Sequence, residues 1–395
     1  MKVLQVFNLH RGGGGADNAT FATIAALQAQ GVMVERFQRD SRDLPLDLGG
    51  KLRAFGSGLY ARNAVREFSR RLDASRPTLV HVHELYPLIS PWVLPECSAR
   101  GIPVVMSVYD YRLTCPTHNH FFEGRVCTRC IAEGETACVR QNCRGSLAES
   151  VAFAARNALA RRLGLFTKHV DLFVTPTRFT ADWLVREAGI ASDRVATVPC
   201  AIDIPPTPVA DPSKGQYIAF AGRFVAEKGA AVAIEAARLA GLPLWLAGDA
   251  AQSLDGLAVA PHLRYLVTRN REELAAFYRG ARAFVMPSIW FESFGIVVGE
   301  AMSHGIPVLA SRIGALAQTT LDGVTGLHFQ PGDAADLARC MRHVWDDPAL
   351  CRNLGRGGRD VIERTSSPRA HGLAMLGAYQ TALSRVLKSA PPARA

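Results

Sequence analysis

Short apolar runs alternate with longer amphipathic stretches along most of the chain, and a glycine-rich or polar turn follows most of these runs. Such alternation is typical of an α/β fold, in which helices cover a parallel sheet. It occurs in two series, which predicts two sheets. The strands predicted in the first series are residues 3–7, 32–37, 79–83, 104–108 and 172–175. Those predicted in the second series are residues 217–221, 244–247, 265–267, 283–286 and 307–310.

A proline-rich stretch at residues 199–216 separates the two series. It has too many prolines for a helix and too many polar residues for a core strand, so we predict an interdomain linker there. A length of 395 residues also favours two domains, because one hydrophobic core rarely organises so long a chain. The domains are predicted over 1–198 and 217–367. Residues 368–395 are predicted to form a last helix and a mobile tail. The helix could pack back across a cleft between the two domains onto the first domain.

Composition and charge narrow the class of protein. Hydrophobic residues make up 48% of the chain and charged residues 20%, as in ordinary globular proteins. No signal peptide is recognised at the N-terminus, and nowhere do about 18 apolar residues follow one another, so membrane contact is expected only at the periphery. We expect a cytoplasmic protein, with attachment at the inner face of the plasma membrane as an alternative. The formal net charge of +10 favours anionic partners such as nucleotides, anionic lipids or nucleic acid.

Two carboxylates, Glu292 and Glu300, delimit a segment that follows the predicted strand 283–286 and opens a helix. Glu292 is expected in the loop and Glu300 in the second helical turn, so both could face one ligand. Carboxylates accept hydrogen bonds from vicinal hydroxyls, in which ribose and hexoses are rich. A helix start also offers unpaired backbone amides to a diphosphate. The residues expected to supply these amides are Ser293, Phe294, Gly295 and Ile296.

Arg223 and Lys228 lie at a second strand-to-helix turn, after the predicted strand 217–221. A guanidinium and an ammonium at such a turn can neutralise a leaving diphosphate, a task that a divalent cation otherwise performs. The sequence contains no Asp-x-Asp triplet, whereas a metal-dependent transferase normally needs clustered oxygen ligands. We therefore predict that catalysis uses no metal ion or other cofactor.

A run of four glycines directly after the first predicted strand is a weaker signal. Gly12, Gly13, Gly14 and Gly15 could let a phosphate approach the backbone closely. The run lacks the third glycine of the dinucleotide-binding fingerprint, and a simple turn is the alternative.

Together these motifs resemble glycosyltransferase family 4. The matching residues are Gly222-Arg223, Lys228-Gly229, Pro287-Ser288, Glu292-Ser-Phe-Gly295 and Glu300-Ala301. The resemblance is specific in the second half of the chain and weaker in the first. It implies the GT-B fold, in which two Rossmann-like domains have parallel sheets that face a central cleft. It also implies retaining transfer of a sugar from a UDP- or GDP-sugar to a saccharide or lipid-linked acceptor in glycan biosynthesis.

The resemblance further implies roles for individual residues. Arg223 and Lys228 would hold the diphosphate, Glu300 the ribose, and Glu292 a hydroxyl of the donor sugar. The glycine run would lie beneath the phosphates and the acceptor, within an acceptor-binding N-terminal domain. The C-terminal domain would bind the nucleotide sugar.

The chain departs from the family pattern at Tyr109. Family members usually have Thr-x-His-Asp here, with a histidine that contacts the donor sugar and phosphate, whereas this chain has Ser107-Val-Tyr-Asp110. A phenol with an ordinary pKa of about 10 donates a hydrogen bond at neutral pH and does not accept a proton. We therefore predict that the leaving phosphate itself takes the acceptor proton and that Tyr109 orients this phosphate.

Five of the nine cysteines fall within a predicted insertion at residues 115–143. They are Cys115, Cys127, Cys130, Cys138 and Cys143. A Cys-x-x-Cys pair followed by two further thiols has the ligand chemistry of a closed tetrahedral zinc site. Cys127, Cys130, Cys138 and Cys143 are therefore predicted to hold a structural zinc ion. Free thiols in a loop are the alternative.

Basic residues recur at helical spacing in two stretches. The first contains Lys51, Arg53, Arg62, Arg66, Arg70 and Arg71, and the second contains Arg156, Arg161, Arg162 and Lys168. Each stretch could be the solvated face of an amphipathic helix or a surface that docks on an anionic membrane. Two histidines, His81 and His83, likewise allow two interpretations, since they could pack in the core or line an acceptor site.

Three other functions are alternatives to glycosyl transfer. The first is another GT-B enzyme, such as a sugar-nucleotide epimerase or a sugar-phosphate synthase. The second is a catalytically silent subunit that binds sugar nucleotides. A zinc-containing nucleic-acid binder is the third, but no segment combines base-reading side chains with stacking aromatics, so no nucleic-acid partner is expected.

Overall fold

A computed structural model describes residues 1–206, 209, 211–248, 259–267 and 270–389. Parts of the predicted linker, at residues 207, 208 and 210, and of the predicted mobile tail, at residues 390–395, lie outside the described residues. Contacts divide the chain into two compact units. The first unit comprises residues 1–120 and 128–199 and the C-terminal segment that begins at His371. The second comprises residues 121–127 and 200–370.

The strands are extended, mostly buried segments. They are β1 (Lys2–Leu9), β2 (Met33–Asp40), β3 (Leu79–Val82), β4 (Val104–Ser107), β5 (Phe121–Phe122), β6 (Arg125–Val126), β7 (Leu172–Thr175), β8 (Val195–Thr197), β9 (Tyr217–Ala221), β10 (Leu244–Gly248), β11 (Leu263–Val267), β12 (Ala281–Met286), β13 (Val308–Ser311) and β14 (Gly326–Phe329). All ten strands predicted from the apolar runs are present, within a few residues at each end. The sequence patterns did not predict β8, β14 or the short hairpin of β5 and β6.

The helices connect these strands. They are α1 (Gly15–Ala29), α2 (Leu48–Tyr60), α3 (Arg62–Ser75), α4 (Val93–Ser98), α5 (Arg129–Glu133), α6 (Thr136–Arg140), α7 (Leu147–Leu163), α8 (Arg178–Glu187), α9 (Ala230–Ala240), α10 (Arg271–Arg279), α11 (Ile296–Ser303), α12 (Leu316–Thr319), α13 (Ala334–Asp346), α14 (Pro348–Thr365) and α15 (Pro368–Ser389). Several begin at a side chain that satisfies a free backbone amide. Asp47 caps α2, Asn270 caps α10 and Asp347 caps α14, as expected for helix starts.

The first unit contains a parallel sheet in the order β2-β1-β3-β4-β7-β8. Its central strands β3 and β4 are buried along their whole length, as expected for a parallel sheet with both faces covered. Strand order reverses between β1 and β3. Ligands of open α/β sheets bind outside the carboxyl ends of the strands at such a reversal.

The second unit contains a parallel sheet in the order β11-β10-β9-β12-β13-β14. Here the reversal lies between β9 and β12, the strands that precede the two strongest motifs of the sequence. Phe220 and Leu244 from the sheet pack with Leu337 and Met341 of α13 in the core of this unit. The α/β class predicted from the sequence is confirmed.

The last helix, α15, packs on the sheet of the first unit. Its residues Met375, Ala378 and Tyr379 are buried in one cluster with Val3 and Val105. Since helix packing buries apolar surface, this contact stabilises the C-terminal segment. No helix in the described part of the chain combines the length and apolarity that crossing a bilayer requires.

Candidate active site

The loops after β9 and β12 meet at the point where strand order reverses in the second unit. Gly229, with a φ of 70°, lies so close to the second loop that a Cβ atom at this position would be 1.9 Å from the carbonyl oxygen of Pro287. The amide of Ile289 donates a 3.0 Å hydrogen bond to the carbonyl of Glu227. The two motifs, far apart in sequence, therefore form one continuous surface at the carboxyl edge of the sheet.

Lys228 and Glu292 form a largely buried ion pair at this surface. The ammonium nitrogen lies 2.6 Å from Oε1 of Glu292, and the side chains are only 16% and 7% exposed. The same oxygen accepts hydrogen bonds from the Ser288 hydroxyl at 2.8 Å and the Trp290 indole nitrogen at 2.9 Å. Lys228 also lies over the Trp290 ring, with 5.3 Å from the ammonium to the ring centroid. These contacts fix the position of the Lys228 ammonium group.

Arg223 belongs to the same loop but remains open to solvent. Its side chain is 62% exposed and lies 3.7 Å from Glu227, a weak surface pair. The guanidinium is therefore available to an anion with little loss of existing contacts.

Glu300 lies on α11 and is held by a tyrosine that the sequence did not single out. The hydroxyl of the buried Tyr278 donates a 2.9 Å hydrogen bond to Oε2 of Glu300, and the Tyr278 ring stacks on His304. Burial raises the pKa of Glu300, although the hydrogen bond from Tyr278 opposes this effect. A carboxylate kept in place in this way can accept hydrogen bonds from hydroxyls.

The start of the helix that carries Glu300 decides which backbone amides face a diphosphate. The helix starts at Ile296, and Gly295 precedes it with a φ of 82°. The prediction that the amides of Ser293 and Phe294 belong to the helix start is wrong, because these residues lie in the loop. Gly295 and Ile296 do lie at the helix start. There the backbone amides have no partner within the helix and point out of its N-terminal end.

The glycine run of the first unit forms the turn between β1 and α1. Gly13 and Gly14 have φ values of 63° and 142°, and a Cβ atom on Gly12, Gly13 or Gly14 would meet nothing within 4 Å. Gly15 begins α1. Asp17 closes the turn, because its carboxylate accepts hydrogen bonds from the backbone amide of His10 at 3.0 Å and contacts the imidazole at 3.1 Å. The hydrogen bond between the Asp17 carboxylate and the His10 imidazole raises the pKa of His10.

His81 and His83 pack in the core of the first unit. Both are at most 1% exposed. The ring of His81 contacts the hydroxyl groups of Tyr379 at 2.7 Å and of Ser107 at 2.9 Å, and that of His83 contacts the Gln5 amide oxygen at 2.8 Å. Burial lowers the pKa of both, to about 3 for His83. Of the two interpretations that the sequence allowed, the structure supports core packing.

Tyr109 follows β4 and is half-buried, with its ring stacked against His83 at a centroid distance of 6.2 Å. Near it lies a charged cluster that the sequence analysis missed. Arg112, only 8% exposed, lies 2.5 Å from Oε2 of Glu84 and also pairs with Asp110. Asp110 and Arg112 follow β4 whereas Glu84 follows β3, so no local sequence pattern could reveal the whole cluster.

Four of the five insertion cysteines lie near one another. The Cys138 thiol is fully buried and forms a hydrogen bond with Cys143. The thiols of Cys130 and Cys115 also lie nearby. Burial, and to a smaller extent these neighbouring thiols, raise the pKa of Cys138. Cys127 belongs to the segment that clusters with the second unit. Among the described residues, no group of three or more histidine, cysteine or acidic side chains is arranged to hold a metal ion. Structural zinc stays a prediction.

The basic stretches form helices with mixed environments. On α3, Phe68 and Leu72 are buried and the arginines lie on the opposite, solvent-facing side. On α2, by contrast, Leu48 and Leu52 are 71% and 62% exposed. Arg156 of α7 is not on a solvated face but lines a cavity.

Comparison with known families agrees with this geometry. The family model described as glycosyl transferases group 1 matches residues 207–361, and the glycosyl transferase 4-like domain matches residues 14–201. Together the fold and these two matches define a GT-B glycosyltransferase. Each half of the chain thus matches a glycosyltransferase model, the 4-like domain in the first half and the group 1 domain in the second.

Individual relatives match parts of the chain. A D-inositol 3-phosphate glycosyltransferase from Streptomyces avermitilis is 43% identical over 100 residues, which are 25% of this chain and 21% of that protein. One from Pseudarthrobacter chlorophenolicus is 30% identical over 245 residues, 56% of this chain and 58% of that protein. The matches thus span less than two thirds of the length of these curated relatives.

Solved structures share the fold over almost the whole chain. Sucrose-phosphate synthase from Thermosynechococcus elongatus superposes with a TM-score of 0.71 at 20% identity, covering 98% of this chain and all of that one. Anabaena HepE in complex with UDP gives a TM-score of 0.64 at 17% identity, covering 96% of this chain and all of that one.

Proposed function

We propose that the protein is a retaining glycosyltransferase that moves a sugar from a nucleotide diphosphate donor to a saccharide or lipid-linked acceptor in glycan biosynthesis. The observation that carries this proposal is the pairing of Lys228 with Glu292 across the loops that follow β9 and β12. It brings cations and carboxylates to one sheet edge at the strand-order reversal, where nucleotides bind in open α/β sheets.

Each donor group has a complementary side chain in the second unit. The diphosphate would lie against Lys228, the exposed Arg223 and the start of α11, where the ammonium, the guanidinium and the backbone amides all favour negative charge. Glu300 would accept the ribose hydroxyls, and the Glu292 carboxylate a hydroxyl of the sugar. Anabaena HepE has been crystallised with UDP-glucose, which supports a nucleotide-sugar donor of this type.

The proposed transfer takes place on one face of the sugar. The acceptor hydroxyl oxygen forms a bond to the anomeric carbon while the bond from that carbon to the phosphate oxygen breaks. The departing diphosphate keeps the electron pair, and its oxygen takes the acceptor proton, which balances the step without a metal ion. Lys228 and Arg223 stabilise the charge that develops on the diphosphate.

Tyr109 would orient the leaving phosphate through its hydroxyl group. If a Tyr109→Phe variant kept the parent's turnover rate, Tyr109 would have no such role. A catalytically silent subunit is the second candidate function, favoured by Tyr109 at the usual histidine position. Binding of a nucleotide sugar without turnover, in the presence of a range of acceptors, would identify it.

Peripheral attachment to the inner face of the plasma membrane is part of the proposal. On and just before α2, Leu46, Leu48 and Leu52 are exposed next to the basic residues Lys51 and Arg53. Exposed apolar and basic side chains on one helix suit an anionic bilayer surface. Failure to bind anionic vesicles at low salt would contradict this part of the proposal.

A thermal-shift panel of UDP-, GDP- and ADP-sugars tests the donor assignment. A ligand that binds only the folded state raises the melting temperature by mass action, so one nucleotide class should stabilise the parent. The preferred donor then enters an acceptor screen in which the anomeric configuration of the product is determined. Absence of stabilisation by every nucleotide sugar, or inversion at the anomeric carbon, contradicts the proposal.

A further inference from the structure

A cavity of about 380 Å³ opens at the carboxyl edge of the sheet in the first unit. Its walls come from the loops after β1, β3 and β4 and from helices α2 and α7. It therefore adjoins the strand-order reversal of this sheet, where ligands of open α/β sheets bind. The volume lies within the usual range of small-molecule sites and is large enough for a monosaccharide.

Cations outnumber carboxylates in the wall of this cavity. Lys51, Arg112, Arg144 and Arg156 line it, against Glu84 and Glu149. The carboxylates are already engaged. Glu84 lies 2.5 Å from Arg112, and Glu149 lies 2.9 Å from Lys51 and 3.5 Å from Arg144.

Arg112 is shared by two carboxylates, Glu84 and Asp110, so the cation of this wall without an ion pair is Arg156. Its guanidinium lies over the Tyr86 and Phe153 rings, at 4.0 and 4.5 Å from their centroids, and it forms no ion pair with any residue in the described part of the chain. Its Nη2 atom donates a 3.5 Å hydrogen bond to the Pro116 carbonyl, whereas its Nε atom is buried without a hydrogen-bond partner. Burial of an unpaired charge is costly, and stacking on two aromatic faces offsets only part of that cost.

Tyr86 provides a second, independent observation. This residue is 6% exposed and lines the cavity, and its hydroxyl group has no hydrogen-bond partner. A buried hydroxyl in a native protein is normally hydrogen-bonded. The hydroxyl therefore lacks the partner that a ligand oxygen would supply.

We propose that this cavity binds the acidic group, a carboxylate or a phosphate, of the acceptor saccharide. The proposal rests on the glycosyltransferase function given above and adds the chemical class of the acceptor. Arg156 is the central anchor, Arg144 and Lys51 add positive charge, and the Tyr86 hydroxyl donates a hydrogen bond to the acidic group. The ring face of Phe153 provides an apolar wall for the sugar.

Calorimetric titration of the full chain with three probes tests this assignment. The probes are D-glucuronate, D-glucose 6-phosphate and methyl α-D-glucoside. Each is added in the presence of saturating UDP or, if the donor panel selects another base, the corresponding nucleoside diphosphate. At least one acidic probe should bind about tenfold or more tightly than the neutral glucoside, because hydrogen bonds to charged groups are the stronger ones. The tighter of the two acidic probes distinguishes a carboxylate ligand from a phosphate ligand.

Arg156→Gln should weaken binding of the acidic probe by about tenfold or more and leave UDP affinity unchanged. Arg162→Gln, which removes the same charge from an exposed position of the same helix, should change neither. Tyr86→Phe removes only the hydroxyl and should weaken acidic-probe binding several-fold, which keeps the test decisive if Arg156→Gln does not fold.

Equal binding of acidic and neutral probes, or parent-like acidic-probe affinity in both Arg156→Gln and Tyr86→Phe, overturns the inference. If UDP binds and no acidic probe does, the inference fails while the donor site stands. If the parent binds none of UDP, GDP and ADP, the proposed function fails instead.

Discussion

The ammonium nitrogen of Lys228 lies 2.6 Å from Oε1 of Glu292, and this contact joins the loops of two neighbouring strands that are far apart in sequence. Glu292 is in turn held by Ser288 and Trp290, so the lysine has a rigid support. A cation fixed in advance can stabilise developing negative charge without reorganising during the reaction. The pair therefore connects the stability of the second unit with the chemistry proposed for it.

Replacement of Lys228 by Gln should lower the rate of sugar transfer at saturating donor by about 100-fold or more, because the fixed charge at the diphosphate is lost. Turnover of the preferred donor measures the effect. Arg238→Gln, which removes an exposed, paired arginine of α9, is the matched control and should retain parental turnover. Since loss of Lys228 removes the counterion of the largely buried Glu292 carboxylate, the double variant Lys228→Gln/Glu292→Gln should recover stability without recovering activity.

Replacement of Glu300 by Gln should raise the stability of the protein at neutral pH and weaken donor binding. Burial raises the folded-state pKa of Glu300 above its unfolded value, so the stability it contributes is fully present below the unfolded pKa and is lost as pH rises through the folded pKa. At neutral pH the neutral Gln variant should be more stable than the parent to urea, and near pH 4 this advantage should shrink. Its affinity for the donor should fall by about tenfold or more. A variant less stable than the parent at neutral pH would contradict the argument.

Gly229→Ala should destabilise the second unit and weaken donor binding. Its φ of 70° disfavours a side chain, and the new Cβ would overlap the Pro287 carbonyl at 1.9 Å. Gly323→Ala is the control, since Gly323 has a φ of 71° and nothing lies within 4 Å of the Cβ position. The control should lose about 1–2 kcal/mol in free energy of unfolding, and Gly229→Ala clearly more. Similar losses for both variants would show that the two loops do not depend on this close contact.

The acid sensitivity of the second unit should depend partly on His304. Burial lowers the pKa of His304 from 6.5 to about 4. A group with a lowered pKa contributes stability above its unfolded pKa, and that contribution is lost as pH falls from 6.5 towards 4. His304→Phe keeps an aromatic ring against Tyr278 but cannot take up a proton. Urea unfolding across this pH window should therefore show a smaller loss of stability than in the parent; identical losses would contradict the prediction.

Elemental analysis of the purified protein tests the zinc prediction. About one equivalent of zinc is expected if four cysteine thiolates hold the ion, and less than about half an equivalent rejects the site. Cys138→Ser should release the metal because Cys138 is one of the four predicted ligands and lies close to two others, Cys143 and Cys130. Cys351→Ser, at a buried cysteine of the second unit, should not affect the zinc content.

Several features were predictable because their signal is local. Strands such as β3 and β9 are continuous apolar runs, since both faces of their sheets are covered. In β8 and β14, by contrast, some residues are only partly buried, so the apolar signal falls below recognition. The hairpin of β5 and β6 has two residues in each strand, too few to show any period.

The sequence by itself determined the α/β class, the residues at the two strongest motifs and the start of each series of strands, because burial and helix starts leave their pattern within a few neighbouring residues. Only the tertiary structure decided that Lys228 pairs with Glu292, that Tyr278 holds Glu300 and that Arg156 faces a cavity without an ion-pair partner. These contacts join segments separated by up to 70 residues in the chain. Strand order and helix packing bring such segments together, and neither is encoded in any short stretch of sequence.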